Sequence, residues 1–367
     1  MNIAQTSEQH WLAWILKLAK SRVKEMEEEK NTERALPPTY CVTGANGYIG
    51  SWLVKVLLQR GYMVHATVRD LAKSLDLLSS WRGADRLRLF KADLREEGSF
   101  DEAVRGCHGV FHVAASMEFN VAGNEDIENY ARCNIIDPAV EGTLNLLKSC
   151  SKSNTVKRVI FTSSISTLTA KDRAGKWRKV VDETCQTPID HVWNTKPSGW
   201  IYVLSKRLTE EAAFKYAKDN AIDLISVITT TVAGAFLTSS VPPSIQVLLS
   251  PITGDTNFFS ILSAVIARMG SIALVHIADI CDAHIFLMEQ TRAEGRYICC
   301  AHSCVMSQLI NHLAEELAEE KQGSISPDIS SKKLRDIGFK YKHSVKDMMS
   351  ETITCCLDQG FLPHAKS

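Results

Sequence analysis

Residues 39–70, TYCVTGANGYIGSWLVKVLLQRGYMVHATVRD, constrain the fold more than any other stretch of the chain. Tyr40, Cys41 and Val42 form a short apolar run of β character, and Gly44, Gly47 and Gly50 follow as G-x-x-G-x-x-G. Trp52, Leu53, Val56 and Leu57 then recur at helical spacing until Gly61, and a second β-rich run, residues 62–68, ends at Arg69 and Asp70. The order strand, glycine loop, helix, strand gives these glycines a physical purpose. Gly44 permits a tight turn, Gly47 lets backbone N–H groups approach a pyrophosphate, and Gly50 lets the helix pack close to the strand. The positive helix N-terminus then faces the phosphates. Gly44, Asn46, Gly47, Tyr48, Ile49 and Gly50 are therefore the expected pyrophosphate site.

Downstream the alternation continues. Strands are expected at residues 86–90, 109–115, 156–164 and 222–229, and helices at 100–105, 128–151 (interrupted at Pro138) and 201–219. This rhythm implies an α/β fold, a doubly wound parallel sheet covered on both faces. Beyond Val232 the pattern changes, and Pro242, Pro243, Pro251 and Gly254 punctuate a segment without clear periodicity up to about residue 268. A strand at 272–277, a helix at 278–290 and a strand at 295–300 follow, then a polar helical remainder with a β-like patch around Phe339. The expected organisation is a dinucleotide-binding domain over 39–231, with 272–300 returning to it. A smaller substrate lobe, 232–271 and 301–367, would lie over the strand ends, where open α/β sheets bind ligands.

Residues 1–38 read as an appendage outside the fold. Their apolar stretch, residues 11–16, is broken by Lys17, too short for the roughly 20 residues that span a bilayer. It also lacks the basic leader and small-residue cleavage site of a signal peptide. Lys+Arg and Asp+Glu are both 42, so the chain carries no electrostatic footprint for nucleic acid or an anionic membrane. The eleven cysteines are scattered, without the paired spacing or histidines of a zinc site, and no metal is expected. Such a pattern suits the reducing cytoplasm.

Two further constellations carry chemistry. After the second strand come Arg69, Asp70 and Lys73; a basic residue here accepts a 2′-phosphate, which favours NADP(H) over NAD. Asp93 and Leu94, ending the third strand, are placed to touch the adenine, although Asp93 also suits an N-cap. Tyr202 and Lys206 are four apart, on one face of a helix. A free phenol titrates at about 10, and a fixed cation beside it lowers that value, which suits proton transfer to a developing alkoxide. Thr162, Ser163 and Ser164, at a strand end, bring hydroxyls to the same place.

Gly44-x-x-Gly47-x-x-Gly50, Thr162-Ser163-Ser164 and Tyr202-x-x-x-Lys206 together resemble the extended short-chain dehydrogenase/reductases, whose fold is of Rossmann type. The longer strings in residues 39–70, KADLREEGSFDEAVRGCHGVFHVA, SPITGD and AEGRYICC are similar to the plant dihydroflavonol 4-reductase and anthocyanidin reductase group, over 39 to about 362. ASMEF at 115–119 and STLTAKD at 166–172 are most similar to a loosely defined anthocyanidin reductase branch.

The resemblance implies Tyr202 as proton donor, Lys206 on the nicotinamide ribose and lowering the Tyr202 pKa, and Ser164 polarising the substrate oxygen. It also implies Arg69 on the 2′-phosphate, Asp93 and Leu94 at the adenine, and Val113, Ala114 and Ala115 along the cofactor. Thr229 and Val232 would stand by the nicotinamide, and the substrate would be a small phenolic molecule. Three positions depart from the pattern. Thr169 stands where dihydroflavonol reductases carry asparagine, Thr229 replaces a proline, and Gly234-Ala235-Phe236 replaces Gly-Pro-Phe. The stretch 304–330 is short against the family, and the Asn-Trp-Tyr-Cys signature of cinnamoyl-CoA reductases is absent. Two rival readings share the scaffold: a sugar-nucleotide epimerase or dehydratase, and a cofactor-binding regulator without catalysis.

Overall fold

In chain order the strands are β1 (Thr39–Thr43), β2 (Met63–Val68), β3 (Leu87–Lys91), β4 (Gly109–His112), β5 (Arg158–Ser164), β6 (Val180–Val181), β7 (Asp223–Thr229), β8 (Thr231–Ala233), β9 (Ile272–His276), β10 (Gly295–Cys299), β11 (His302–Cys304) and β12 (Asp328–Ile329). The helices are α1 (Tyr48–Gln59), α2 (Asp101–Val104), α3 (Ile127–Ala131), α4 (Asp137–Ser153), α5 (Ile189–Thr195), α6 (Trp200–Asp219), α7 (Pro243–Thr253), α8 (Thr256–Met269), α9 (Ile277–Glu289), α10 (Met306–Ala314), α11 (Lys332–Asp336) and α12 (Val345–Asp358). The structure, a computed structural model, describes residues 37–72, 74, 83–115, 126–172, 174–314 and 327–363. Of the expected features, residues 1–36, Lys73 and residues 116–119 lie outside that set.

The main sheet is parallel throughout, in the order β3-β2-β1-β4-β5-β7-β10. Alternate residues along its strands serve opposite faces, as a period of two requires. Tyr40, Val42, Phe111, Ile160, Ile225 and Val227 pack under α1 and α9 with Leu53, Leu57 and Ile280. Cys41, Val110, Val159, Phe161 and Leu224 pack under α4 and α6 with Leu146, Leu147 and Ala213. The chain runs outward from β1 through β2 to β3 and then returns to β4, so the winding reverses between β1 and β4. Ligands of open α/β sheets lie in the crevice that this reversal leaves at the strand C-termini.

Past β7, strands β8 and β9 pair parallel, β9 and β11 antiparallel, in a second sheet of three. A separate core of Ile245, Leu248, Leu249, Leu262, Leu309 and Met348 joins α7, α8, α10 and α12. Of residues 272–300, α9 and β10 pack on or in the main sheet, while β9 belongs to the small one.

Three local expectations change. The long helix at 128–151 is α3, a π-helical turn at Arg132–Ile136, and α4; Pro138 falls in the first turn of α4, where its missing N–H costs nothing. The aperiodic stretch at 242–268 is two helices. Pro242 and Pro243 start α7, Gly254 ends it with φ +72°, and the Asp255 carboxylate caps α8 by accepting from the Asn257 and Phe258 N–H groups. Pro251 is tolerated inside α7 because Ser250 Oγ donates to the Val247 carbonyl (2.7 Å), the acceptor that the proline leaves free. Phe339 lies in no strand: its buried ring packs against Phe286 and Tyr341. All eleven thiols are free, and no described helix is long and apolar enough to cross a membrane.

Candidate active site

The glycine loop sits at the winding reversal. Gly44 has φ +65°, and a methyl group there would lie 2.9 Å from Ala114 Cα at the end of β4. At Gly50 a methyl group would lie 2.1 Å from the Gly44 carbonyl oxygen, so only glycine lets α1 approach its own loop. Gly47 is exposed, donates its N–H to the Gly44 carbonyl (2.9 Å), and forms the N-cap of α1. No side chain caps that end of α1, and no acidic residue stands in its first turn. Its orphan N–H groups and positive dipole end are thus left for an anion, and the loop fits a dinucleotide pyrophosphate.

The expected loop residues divide by what they contribute. Asn46 Nδ2 donates to Ser74 Oγ (3.1 Å), which donates to the Asp70 carbonyl (2.8 Å), stapling the loop to the chain after β2. Tyr48 donates its hydroxyl to the Gly234 carbonyl (3.0 Å), and Ile49 packs on the core, so both side chains are engaged within the protein. Arg69 and Asp70 are exposed directly after β2, and Arg69 makes no ion pair among the described residues. Asp93 Oδ1 accepts from the Arg95 N–H (2.9 Å), an Asx turn rather than a helix cap. Leu94 packs on Gly142 and its carbonyl accepts from Asn145 Nδ2 (3.0 Å), which fixes the end of β3.

β4 stops at His112 rather than at Ala115, and Thr43 is the reason. Its Oγ1 accepts from the Val113 (3.1 Å) and Ala114 (3.0 Å) N–H groups. Having one proton of its own, it donates that to His112 Nδ1 (2.9 Å). His112 therefore carries its proton on Nε2, which donates to Thr143 Oγ1 (3.0 Å). Burial, and secondarily the charge of Lys206, push the His112 pKa down to about 3. This neutral relay holds Val113 and Ala114 beside Gly44, with Ala115 exposed.

The chemical groups converge at the C-terminal end of β5. Tyr202 and Lys206 lie one turn apart near the start of α6, and Ser164 is the last residue of β5. The Tyr202 phenol lies within reach of the Ser164 hydroxyl. Burial raises the Tyr202 pKa, and the Ser164 hydroxyl and the Arg268 charge pull against it. Lys206 Nζ donates to the Thr162 carbonyl (3.3 Å) and lies 5.8 Å from the Phe161 ring centroid. Burial lowers its pKa to about 8, with Glu210 opposing. Arg268 thus adds a cation to the site beside the expected Lys206. Opposite Ser164 across the β5–β7 pairing stands Thr229, whose Oγ1 donates to the Ser163 carbonyl (3.0 Å) and replaces with a side-chain bond what a proline would fix by its ring. Val232 is buried, with its carbonyl accepting from Ser244 Oγ (3.0 Å). Thr169 is buried, and its N–H donates to the Cys185 carbonyl (2.9 Å).

Sequence reasoning missed three participants. His112 was read only as part of a buried strand. Glu210, two turns beyond Tyr202 on α6, binds Arg296 Nη2 (2.8 Å) and accepts from Ser226 Oγ (2.5 Å). Arg268 lay in the stretch read as aperiodic; its signal was a lone arginine in the otherwise uncharged run FFSILSAVIARMGS.

A profile described as the NAD dependent epimerase/dehydratase family matches residues 40–300. The chain is 43% identical over 345 residues to a dihydroflavonol 4-reductase of Gerbera hybrida, covering 91% of this chain and 90% of that one. It is 44% identical to a Ginkgo biloba protein provisionally named an anthocyanidin reductase, covering 88% of this chain and 96% of the other. Among solved structures, vestitone reductase from alfalfa (Medicago sativa L.) superposes with a TM-score of 0.72 at 33% identity, over 88% of this chain and 99% of that one. The chain belongs to the NAD dependent epimerase/dehydratase family, the extended short-chain dehydrogenase/reductases, and is an oxidoreductase of the plant dihydroflavonol 4-reductase and anthocyanidin reductase group.

Proposed function

We propose that the protein is an NADP(H)-dependent reductase of a flavonoid or related phenylpropanoid, with Tyr202 as proton donor. The observation that carries this reading is the half-buried Tyr202 phenol, set beside the Ser164 hydroxyl at the C-terminal end of β5. The names of the relatives, which include a bifunctional dihydroflavonol 4-reductase/flavanone 4-reductase of Malus domestica, support the substrate class.

Gly44, Gly47 and Gly50, with the main chain of Asn46, Tyr48 and Ile49, would hold the pyrophosphate. Arg69, with Lys73 nearby in sequence, would take the 2′-phosphate; Asp93 and Leu94 would border the adenine. Val113, Ala114, Ala115, Thr229 and Val232 would line the rest, with Lys206 on the ribose. When bound, the nicotinamide supplies the hydride. Ser164 donates toward the substrate oxygen, orienting it against Tyr202. A raised pKa keeps the Tyr202 phenol protonated at neutral pH, the form that a reduction consumes. As the oxygen gains charge, Tyr202 delivers its proton, and the nearby Arg268 stabilises the phenolate that remains.

The test is NADPH consumption by the purified protein with dihydroflavonols, anthocyanidins and simpler aromatic ketones, Tyr202→Phe in parallel. The expected result is a loss of about 10²–10⁴-fold in kcat, the usual worth of a positioned acid, with NADPH affinity retained. Equal rates in both proteins would remove Tyr202 from the mechanism. Tight NADPH binding without turnover on any member would favour a regulator, and a tightly retained, recycled cofactor an epimerase.

A further inference from the structure

We propose that Arg268 is a specificity-determining residue that holds an oxyanion of the substrate, an acidic oxygen a few bonds from the carbonyl that is reduced. This rests on the reductase reading above and names the substrate feature the site selects.

The last turn of α8 is docked on the segment that follows Ser164. The Arg268 carbonyl accepts the Ala170 N–H (3.2 Å), and Met269 and Val265 share a core with Ile165, Leu168 and Ala170. Gly270 ends the helix with φ +78°, so the backbone of Arg268 has one position. That places the residue beside the chain that leads from Ser164, and its charge acts on the Tyr202 phenol.

Among the described residues the group has no counter-charge. Arg268 Nε is shielded from solvent without a hydrogen-bond partner, and no described carboxylate pairs with the side chain. The Nε of Arg296 is likewise without a partner, but Arg158 and Arg296 each hold a carboxylate. Arg158 binds Asp223 (2.7 Å) and the Leu287 and Gln290 carbonyls. Arg296 binds Glu210, Thr167 Oγ1 (3.0 Å) and the Glu183 carbonyl (2.6 Å). Glu210, the carboxylate nearest in sequence to Lys206 on α6, is already taken by Arg296 and Ser226. Among the described residues, Lys206 and Arg268 thus stand at the site without a carboxylate of their own. A shielded, unpaired cation is costly, and a planar guanidinium offers paired donors to an oxyanion. Because the end of α8 is docked on the segment that follows Ser164, the anion that Arg268 takes lies near the reacting carbonyl. An ionised phenol or enol conjugated with that carbonyl has this shape, and so does a neighbouring carboxylate.

The test uses the full chain and three aryl ketones: one with a free hydroxyl ortho to the carbonyl, the same ketone methylated on that oxygen, and one with a carboxylate there. Rates with NADPH and equilibrium binding to the NADP-loaded protein are both measured. The expected result is a preference for the acidic ketones over the methylated one that falls about 10–100-fold in Arg268→Gln, mainly through KM and Kd, and is largely kept in Arg268→Lys. Whichever acid is preferred, hydroxyl or carboxylate, identifies the source of the oxyanion. A preference that is absent in the wild type, or unchanged in Arg268→Gln, overturns the proposal, as does a Gln and Lys loss of equal size. If the wild type turns over no ketone, the reductase reading fails while the binding titrations still decide whether Arg268 selects an oxyanion.

Discussion

Alanine substitutions at Gly47 and Gly50, three residues apart in sequence, are expected to separate folding from cofactor binding in the glycine loop. At Gly50 the added methyl would meet the Gly44 carbonyl oxygen at 2.1 Å, the Gly44 carbonyl carbon at 2.9 Å and Ala45 Cα at 3.1 Å. All three neighbours are backbone, so relief requires moving α1 away from the loop by roughly 1 Å, the shortfall from an ordinary contact. Alanine gains up to about 1 kcal/mol in helix propensity over glycine, against about 1–3 kcal/mol or more for overpacking a rigid site. The clash wins, because Gly50 lies in α1 and the loop it strikes is pinned by Gly44 against Ala114. At Gly47 the same methyl meets only the Gly44 oxygen, at 3.3 Å, and φ is −83°, a conformation that alanine accepts. Gly47→Ala is therefore expected to stay within about 0.5 kcal/mol of wild type in stability. Its methyl instead occupies the exposed side of the α1 N-terminus, where the pyrophosphate is proposed. Thermal unfolding and fluorescence titration with NADPH read the two effects. Gly50→Ala is expected to lower Tm by about 2–6 °C and weaken NADPH, and Gly47→Ala to weaken NADPH at unchanged Tm. Equal Tm losses in both, or undiminished NADPH affinity in Gly47→Ala, would refute the assignment of their separate roles.

Arg69→Ala is expected to weaken NADPH about 10–100-fold, the loss of a charge-assisted pair, while leaving NADH affinity nearly constant; a parallel loss for both nucleotides sinks the 2′-phosphate assignment. Acid should destabilise the fold through His112 and His284, buried neutral with pKa values of about 3 and about 4. The unfolded chain takes up those protons near pH 6.5 and the folded chain does not, so stability is full above that pH and falls below it, by at most about 1.4 kcal/mol per unit per histidine. Urea unfolding between about pH 7 and 5 measures the slope, and a flat profile contradicts it. Glu210→Ala leaves Arg296 buried without its carboxylate and is expected to cost about 3–5 kcal/mol in the same assay; less than about 1 kcal/mol would mean that Thr167 and the Glu183 carbonyl suffice.

What could be seen in the sequence was whatever a short-range rule dictates. Each glycine of the loop answers a steric limit set within a few residues or at one neighbouring strand, and Tyr202 and Lys206 share a face because a helix puts them there. The same logic explains the misses. α7 and α8 were unreadable by periodicity because their ends are written in caps and prolines, and because Pro251 is compatible with a helix only through the Ser250 hydroxyl. Strand β4 was drawn too long because its end is decided by Thr43, on another strand.

Charge is the least local property of all, and it divides the site in two. The half proposed to hold the cofactor is built from one continuous stretch and repeats a motif, so its chemistry follows from spacing. The half proposed to meet the substrate is assembled from β5, α6 and the last turn of α8, where Arg268, far from Tyr202 in sequence, adds its charge to the burial and the Ser164 hydroxyl that act on the phenol. Two chains with the same glycine, serine, tyrosine and lysine pattern can therefore differ in what they reduce through a residue at this helix end. Selectivity in this chain is expected to follow α8, and exchanging that helix should move substrate preference while leaving nucleotide preference, proposed to lie with Arg69, in place.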